Sequence, residues 1–183
     1  MRLAIARTPK KIFVDEMGRF LPILYENFVR ASPDVIHHPR RLRELHQMRL
    51  RGKVLRYAME DVRKLFGKEF HSCTREIRNM VDLLGVIHEA DVLLTVLREH
   101  LREMVAFNTL AEVRQRRILT GGVRQILSSE RTRRKLLFDD LSGLLRPRKI
   151  NLLRRRLKRA LHLGLIFCIM IRATWFSISS TSS

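Results

Sequence analysis

The sequence predicts an all-α fold, and three observations carry that prediction. Apolar residues recur at helical spacing in segment after segment. No run alternates apolar and polar residues, and no hairpin signal appears. The segments are separated by short Gly- or Pro-marked connections, which favour antiparallel neighbours.

The first helix is expected from about Asp15 to Ala31, with Asp15 as N-cap and Phe20, Ile23, Leu24 and Phe28 as its apolar face. Ser32-Pro33-Asp34 ends it, because the residue before a proline is pushed out of the α region. The second runs from about Pro39 to Phe66, with proline in its first turn and Gly67 as its stop. The third spans about Lys68 to Leu84, with Phe70, Ile77, Val81 and Leu84 on one side, and Gly85 ends it. The fourth, about His88 to Phe107, carries Val92, Leu93, Val96, Leu97 and Leu101. Leu110 to Leu119 and Val123 to Leu145 follow as more basic helices, separated by Gly121-Gly122. Pro147 breaks the chain, and Asn151 to Leu161 is a short arginine-rich helix. The expected domain therefore covers 14–161, and 162–183 forms an apolar, then Ser-rich tail.

Composition bounds the function. The chain has 183 residues, 37 Lys+Arg and 18 Asp+Glu, giving a net charge of +19. With 45% hydrophobic residues it holds enough apolar material for a core and is not a disordered basic tail. Two cysteines, Cys73 and Cys168, provide neither a disulfide framework nor a zinc site, which points to a reducing, cytoplasmic setting. The seven histidines are scattered without ligand spacing, so no metal is expected. No carboxylate pair, nucleophile–base set or phosphate-cradling loop marks an enzyme, and no cofactor is implied. The positive excess favours a polyanion: nucleic acid, polyphosphate or an anionic membrane. Between Val113 and Arg159 lie 16 Lys+Arg against three acids, so this quarter of the chain carries +13 of the +19.

One helix has internal geometry. With His46 at angle zero and about 100° per residue, Arg49, Lys53, Arg56 and Glu60 fall between about −20° and −80°. Arg43 borders this stripe near +60°. Met48, Leu55, Met59, Val62 and Phe66 fall between about 160° and 220°. Their steps of 7, 4, 3 and 4 make a heptad seam, with Gly52 in the remaining slot. One face is thus expected to pack, with Gly52 admitting a close neighbour, while the opposite face presents cations. Arg matches phosphate oxygens bidentately, Lys supplies a compact charge, and His adds a pH-dependent donor. The stripe extends about 15 Å along the axis, which suits successive units of a linear polyanion. The competing reading is a solvated basic face, with Glu60 pairing to Arg56 or Arg63.

The string His46-x-x-Arg49-Leu50-x-x-Lys53-x-x-Arg56-Tyr57 resembles the signature of the conserved histidine α-helical domain, CHAD. The run Leu83 to Leu94, with Asp91-Val92 inside it, is similar to that family's second landmark. Val54 replaces a usual basic residue, and His88-Glu89 replace an Arg-Asp pair. The resemblance covers about 18–145. It implies non-enzymatic binding of inorganic polyphosphate through His46, Arg49, Lys53 and Arg56, with Arg43 and Arg63 at the edges, and association with polyphosphate granules. The family domain has two similar bundles, and only one clear copy of the motif is present here. The expected architecture is therefore one complete antiparallel bundle plus part of a second. Asn151 to Arg159 reads as a decayed second copy, giving a weaker basic patch of Arg154, Lys158 and Arg159. A second copy of the chain is the expected means of completing the two-bundle arrangement.

A nucleic-acid-binding helical protein stands as the alternative, motivated by the basic run Arg131 to Arg159. Phe138 is its lone aromatic, and it carries no reading motif. The apolar run Leu163 to Ile171 is too short to span a bilayer. A membrane anchor, packing against the bundle and a non-native end are the three readings of that tail, the anchor being the least favoured.

Overall fold

The computed structural model describes residues 9–110 and 118–162. Helix α1 is Pro9–Val29, α2 Ser32–His37, α3 Leu42–Val62, α4 Lys68–Leu110 and α5 Gly121–Leu144. A 3-10 turn, Arg63–Leu65, follows α3. A further helix, α6, covers 147–162. No strand occurs among the described residues, so the all-α expectation holds.

Several boundaries differ from expectation. Asp15 is not an N-cap: it lies inside α1, which is described from Pro9 onward. The α1 face is also rotated. Val14, Leu21, Tyr25 and Phe28 are buried, whereas Phe20 and Ile23 are 45% and 57% exposed. The helix carries two apolar stripes, and the bundle takes the one containing Tyr25. Ser32-Pro33-Asp34 does end α1, but it also opens α2, with proline in the first turn. The second expected helix is shorter than Pro39 to Phe66, since α3 begins at Leu42 and yields to the 3-10 turn at Arg63.

The largest correction concerns Gly85, which does not end a helix. It lies inside α4, a single helix of 43 residues, about 64 Å long at 1.5 Å per residue. An interior glycine costs about 1 kcal/mol relative to alanine. Burial of Leu84, Ile87, Ala90 and Leu94 on either side outweighs that cost. Gly121-Gly122 open α5 rather than precede it. Pro147 starts α6 instead of merely breaking the chain. Most of the helix expected over Leu110 to Leu119, and the whole tail from Leu163, lie outside the described residues.

The helices alternate in direction. Arg56 meets Asp82 and Glu60 meets Arg78, so α3 and α4 run antiparallel. Arg134 meets Asp91, and Leu144 lies beside Met80, so α5 runs antiparallel to α4. Helix α1 packs on α3. The heptad seam is where the sequence puts it: Met48, Gly52, Leu55, Met59 and Val62 are all buried, and Phe66 continues the seam. A Cβ at Gly52 would come within 2.8 Å of both Phe28 and Val81.

Helix α6 closes the core with Ile150, Leu153, Leu157, Ala160 and Leu161. Polar contacts fix its position. The Tyr25 hydroxyl donates to the Ile150 carbonyl at 2.7 Å. Arg154 forks onto Glu26 at 2.7 and 2.9 Å. Arg156 donates to Glu69, Glu76 and Ser72 on α4. Part of the basic run is therefore paired with carboxylates in the fold. No helix among the described residues is long and apolar enough to cross a membrane.

Candidate functional site

The stripe derived from helical angles exists, but it does not face away from the bundle. His46, Arg49, Lys53 and Arg56 are all half-buried along the edge of α3 that borders α4. Arg49 and Arg56, about 100° from the centre of the packed seam, reach α4, and so does His46 from the far side of the helix. Each residue meets a different environment there.

His46 lies against His88 of α4, with ring centroids 5.0 Å apart and planes tilted by 46°. Its Nδ1 is shielded from solvent and has no hydrogen-bond partner. Arg49 crosses α4 at Gly85: a Cβ built on that glycine would sit 3.9 Å from Arg49 Nε. Arg49 Nε is likewise buried and unpartnered. A buried polar nitrogen without a partner is costly, so these two nitrogens lack a partner oxygen that the protein itself does not supply.

Further along, Lys53 is free of acidic partners among the described residues. Arg56 is not. Its Nη1 donates to Asp82 Oδ1 at 2.8 Å. Its Nε lies 3.3 Å from Glu60 Oε1, an ion pair without hydrogen-bond geometry. Glu60 is held in turn by Arg78 at 2.7 Å. The Glu60 end of the stripe is thus neutralised, and the His46 end carries the unpartnered nitrogens of His46 and Arg49.

The edge residues separate. Arg43 is exposed and lines a cavity of about 400 Å³ with Leu42, His46, Ile87, His88 and Val92. Arg63 falls off the helix: it begins the 3-10 turn, and its carbonyl accepts from His71 Nε2 at 2.8 Å. The weaker patch divides too. Arg154 is committed to Glu26, and Lys158 and Arg159 are exposed on α6. Asn151 bonds Arg154 within α6. Among the described residues no group of three His, Cys, Asp or Glu is placed to hold a metal.

In the sequence His88 stands out only as a departure from the family motif. Its meeting with His46 depends on the register between α3 and α4, which no spacing within one helix reveals. The same holds for Asp82 and for the pairing of Asp91 with Arg134 at 2.8 Å.

A family model described as CHAD domain matches residues 6–98. That span includes α1, α2, α3 and the first part of α4, with the stripe and the Asp91 landmark inside it. No curated protein and no solved structure matches the chain.

Proposed function

The chain belongs to the CHAD domain family, and from that premise we propose that it binds inorganic polyphosphate along the α3 edge, without catalysing its cleavage. Polyphosphate binding is a general property of the family; the residues are this chain's own. His46, Arg49 and Lys53 are the central ligands, Arg43 extends the line at one end, and Arg56 contributes at the other as far as Asp82 and Glu60 leave it free.

The observation that carries this reading is the pair of orphaned nitrogens, His46 Nδ1 and Arg49 Nε. Both lie on one helix edge beside an unpaired lysine. A chain of phosphates supplies acceptors in sequence along that edge, where a single small anion would satisfy one donor and leave the rest. Binding proceeds by displacement of counterions condensed on the polyanion, so affinity falls steeply as salt rises. His46 and His88 add donors at the end where cations are spaced most widely.

The test is a titration of the full chain with long-chain polyphosphate at several salt concentrations, in competition with duplex DNA and RNA at matched phosphate concentration. Polyphosphate outcompeting both supports the reading. Displacement of polyphosphate by either nucleic acid would transfer the argument to the basic run of α5 and α6.

A further inference from the structure

A second cavity, of about 900 Å³, lies beyond the His46 end of α3, between the loop before α3, α4 and α5. Its cations come from three places in the chain: Arg40 before α3, Arg98 on α4, and Arg131 and Lys135 on α5. All four are exposed, and none has an acidic partner among the described residues. Arg131 and Lys135 stand at i, i+4, where like charges repel. Asp139 is the one acid in the wall whose charge is not already met, because Asp91 is held bidentately by Arg134.

The floor is of the opposite character. Leu94 and Phe138 are buried, and Ile36 is half-buried, at the base of the cavity. The Ser142 hydroxyl in the same wall is shielded from solvent and has no hydrogen-bond partner. A cavity of this size, with an apolar floor of Ile36, Leu94 and Phe138 under walls of charged and polar side chains, has the dimensions of a small-molecule site.

The cavity is partitioned from the polyphosphate edge. Arg134 donates to Asp91 and, at 2.7 Å, to the Pro39 carbonyl. Leu42 and Asp91 line both cavities, so this α5–α4 bridge is the wall between them. A bare phosphate chain has nothing to place on Leu94, Ile36 and Phe138. An organic group carrying phosphates fills the floor and reaches the four cations together. We infer that this cavity is a separate binding site for a small organic polyphosphate ester of the nucleotide type. The inference does not depend on polyphosphate occupying the α3 edge.

The probe is ATP, compared with tripolyphosphate, which keeps the anions and lacks the organic group, and with adenosine, which does the reverse. Calorimetric titration of the full chain is expected to give one ATP site. ATP is expected to bind about tenfold or more tighter than tripolyphosphate, because the organic group buries apolar surface. Adenosine is expected to bind more weakly than either. Arg98→Glu with Arg131→Glu, both at exposed unpaired positions, should lower ATP affinity by about tenfold or more. Arg40→Ala with Lys135→Ala provides an independent pair, and thermal melting checks that each variant is folded. Arg49→Ala with Lys53→Ala should leave ATP affinity within about twofold. ATP binding no tighter than tripolyphosphate would overturn the inference. So would ATP affinity unchanged in both cavity variants, or lost equally in the α3-edge variant.

Discussion

Gly52 of α3 and Phe28 of α1 approach so closely that the space a Cβ would occupy is already within 2.8 Å of the Phe28 ring and of Val81. The glycine therefore sets the distance at which α1 and α4 pack on α3. Gly52→Ala should gain about 1 kcal/mol of helix propensity. It should lose about 1–3 kcal/mol by overpacking, because the Phe28 ring is fully buried and has nowhere to move. A lower urea midpoint with an unchanged slope is expected. A midpoint equal to or above that of the parent chain would show that the three helices are not held at this spacing.

The bridge from Arg134 to Asp91 is 13% exposed at both side chains and ties α5 to α4. Arg134→Ala leaves a shielded carboxylate uncompensated and should cost about 3 kcal/mol. Replacing both partners, Arg134→Met with Asp91→Leu, should recover much of that loss. Chemical denaturation of the three variants decides the matter. Equal losses in the single and double variants would mean that the cost is lost packing and not an unpaired charge.

Asp82 holds Arg56 in an exposed pair and withdraws it from the stripe. Asp82→Asn should release that guanidinium and raise polyphosphate affinity by roughly two- to fivefold, the worth of an exposed ion pair. A polyphosphate titration at low salt reads this directly. A decrease in affinity would show that Asp82 positions Arg56 for the ligand.

Cys73 is fully buried, and burial pushes its thiol up to about 11. Tyr25 is shifted in the same direction by the same cause. In the unfolded chain the thiol ionises near 9.0. The folded state therefore holds its proton longer, and this contribution to stability is intact below pH 9 and lost as pH rises towards 11. The full effect is about 2–3 kcal/mol. Unfolding free energy measured from pH 8 to 11 should fall more steeply in the parent chain than in Cys73→Ala. Parallel curves would contradict it.

How far the sequence reveals the molecule depends on whether a feature lies within one helix or between two. The seam of Met48, Leu55, Met59 and Val62 was readable from periodicity, and so was Gly52 as a point of close approach. The angular stripe of His46, Arg49, Lys53 and Arg56 was readable too, because 3.6 residues per turn fixes it without reference to any neighbour. Its surroundings were not. Whether Arg56 meets Asp82 and His46 meets His88 is decided by the register of α3 on α4. Gly85 misled for a related reason: its local signal says stop, and the buried residues on both sides override it. The α1 face is not readable from periodicity because that helix offers two apolar stripes, and only packing chooses between them. Of the basic run, Arg134, Arg154 and Arg156 proved to be structural partners of carboxylates far away in the chain.

The central claim is that a short line on α3, and not bulk charge, binds the polyphosphate chain. The most direct test compares two triple variants of equal charge. One is Arg49→Ala, Lys53→Ala, Arg56→Ala. The other is Arg146→Ala, Arg148→Ala, Arg155→Ala, three exposed arginines without acidic partners among the described residues. Both are titrated with long-chain polyphosphate across a range of salt. The α3 variant should lose about tenfold or more in affinity, and its salt slope should fall by about two to three. The control should lose less than about threefold and keep its slope. Equal losses in the two variants would contradict the claim.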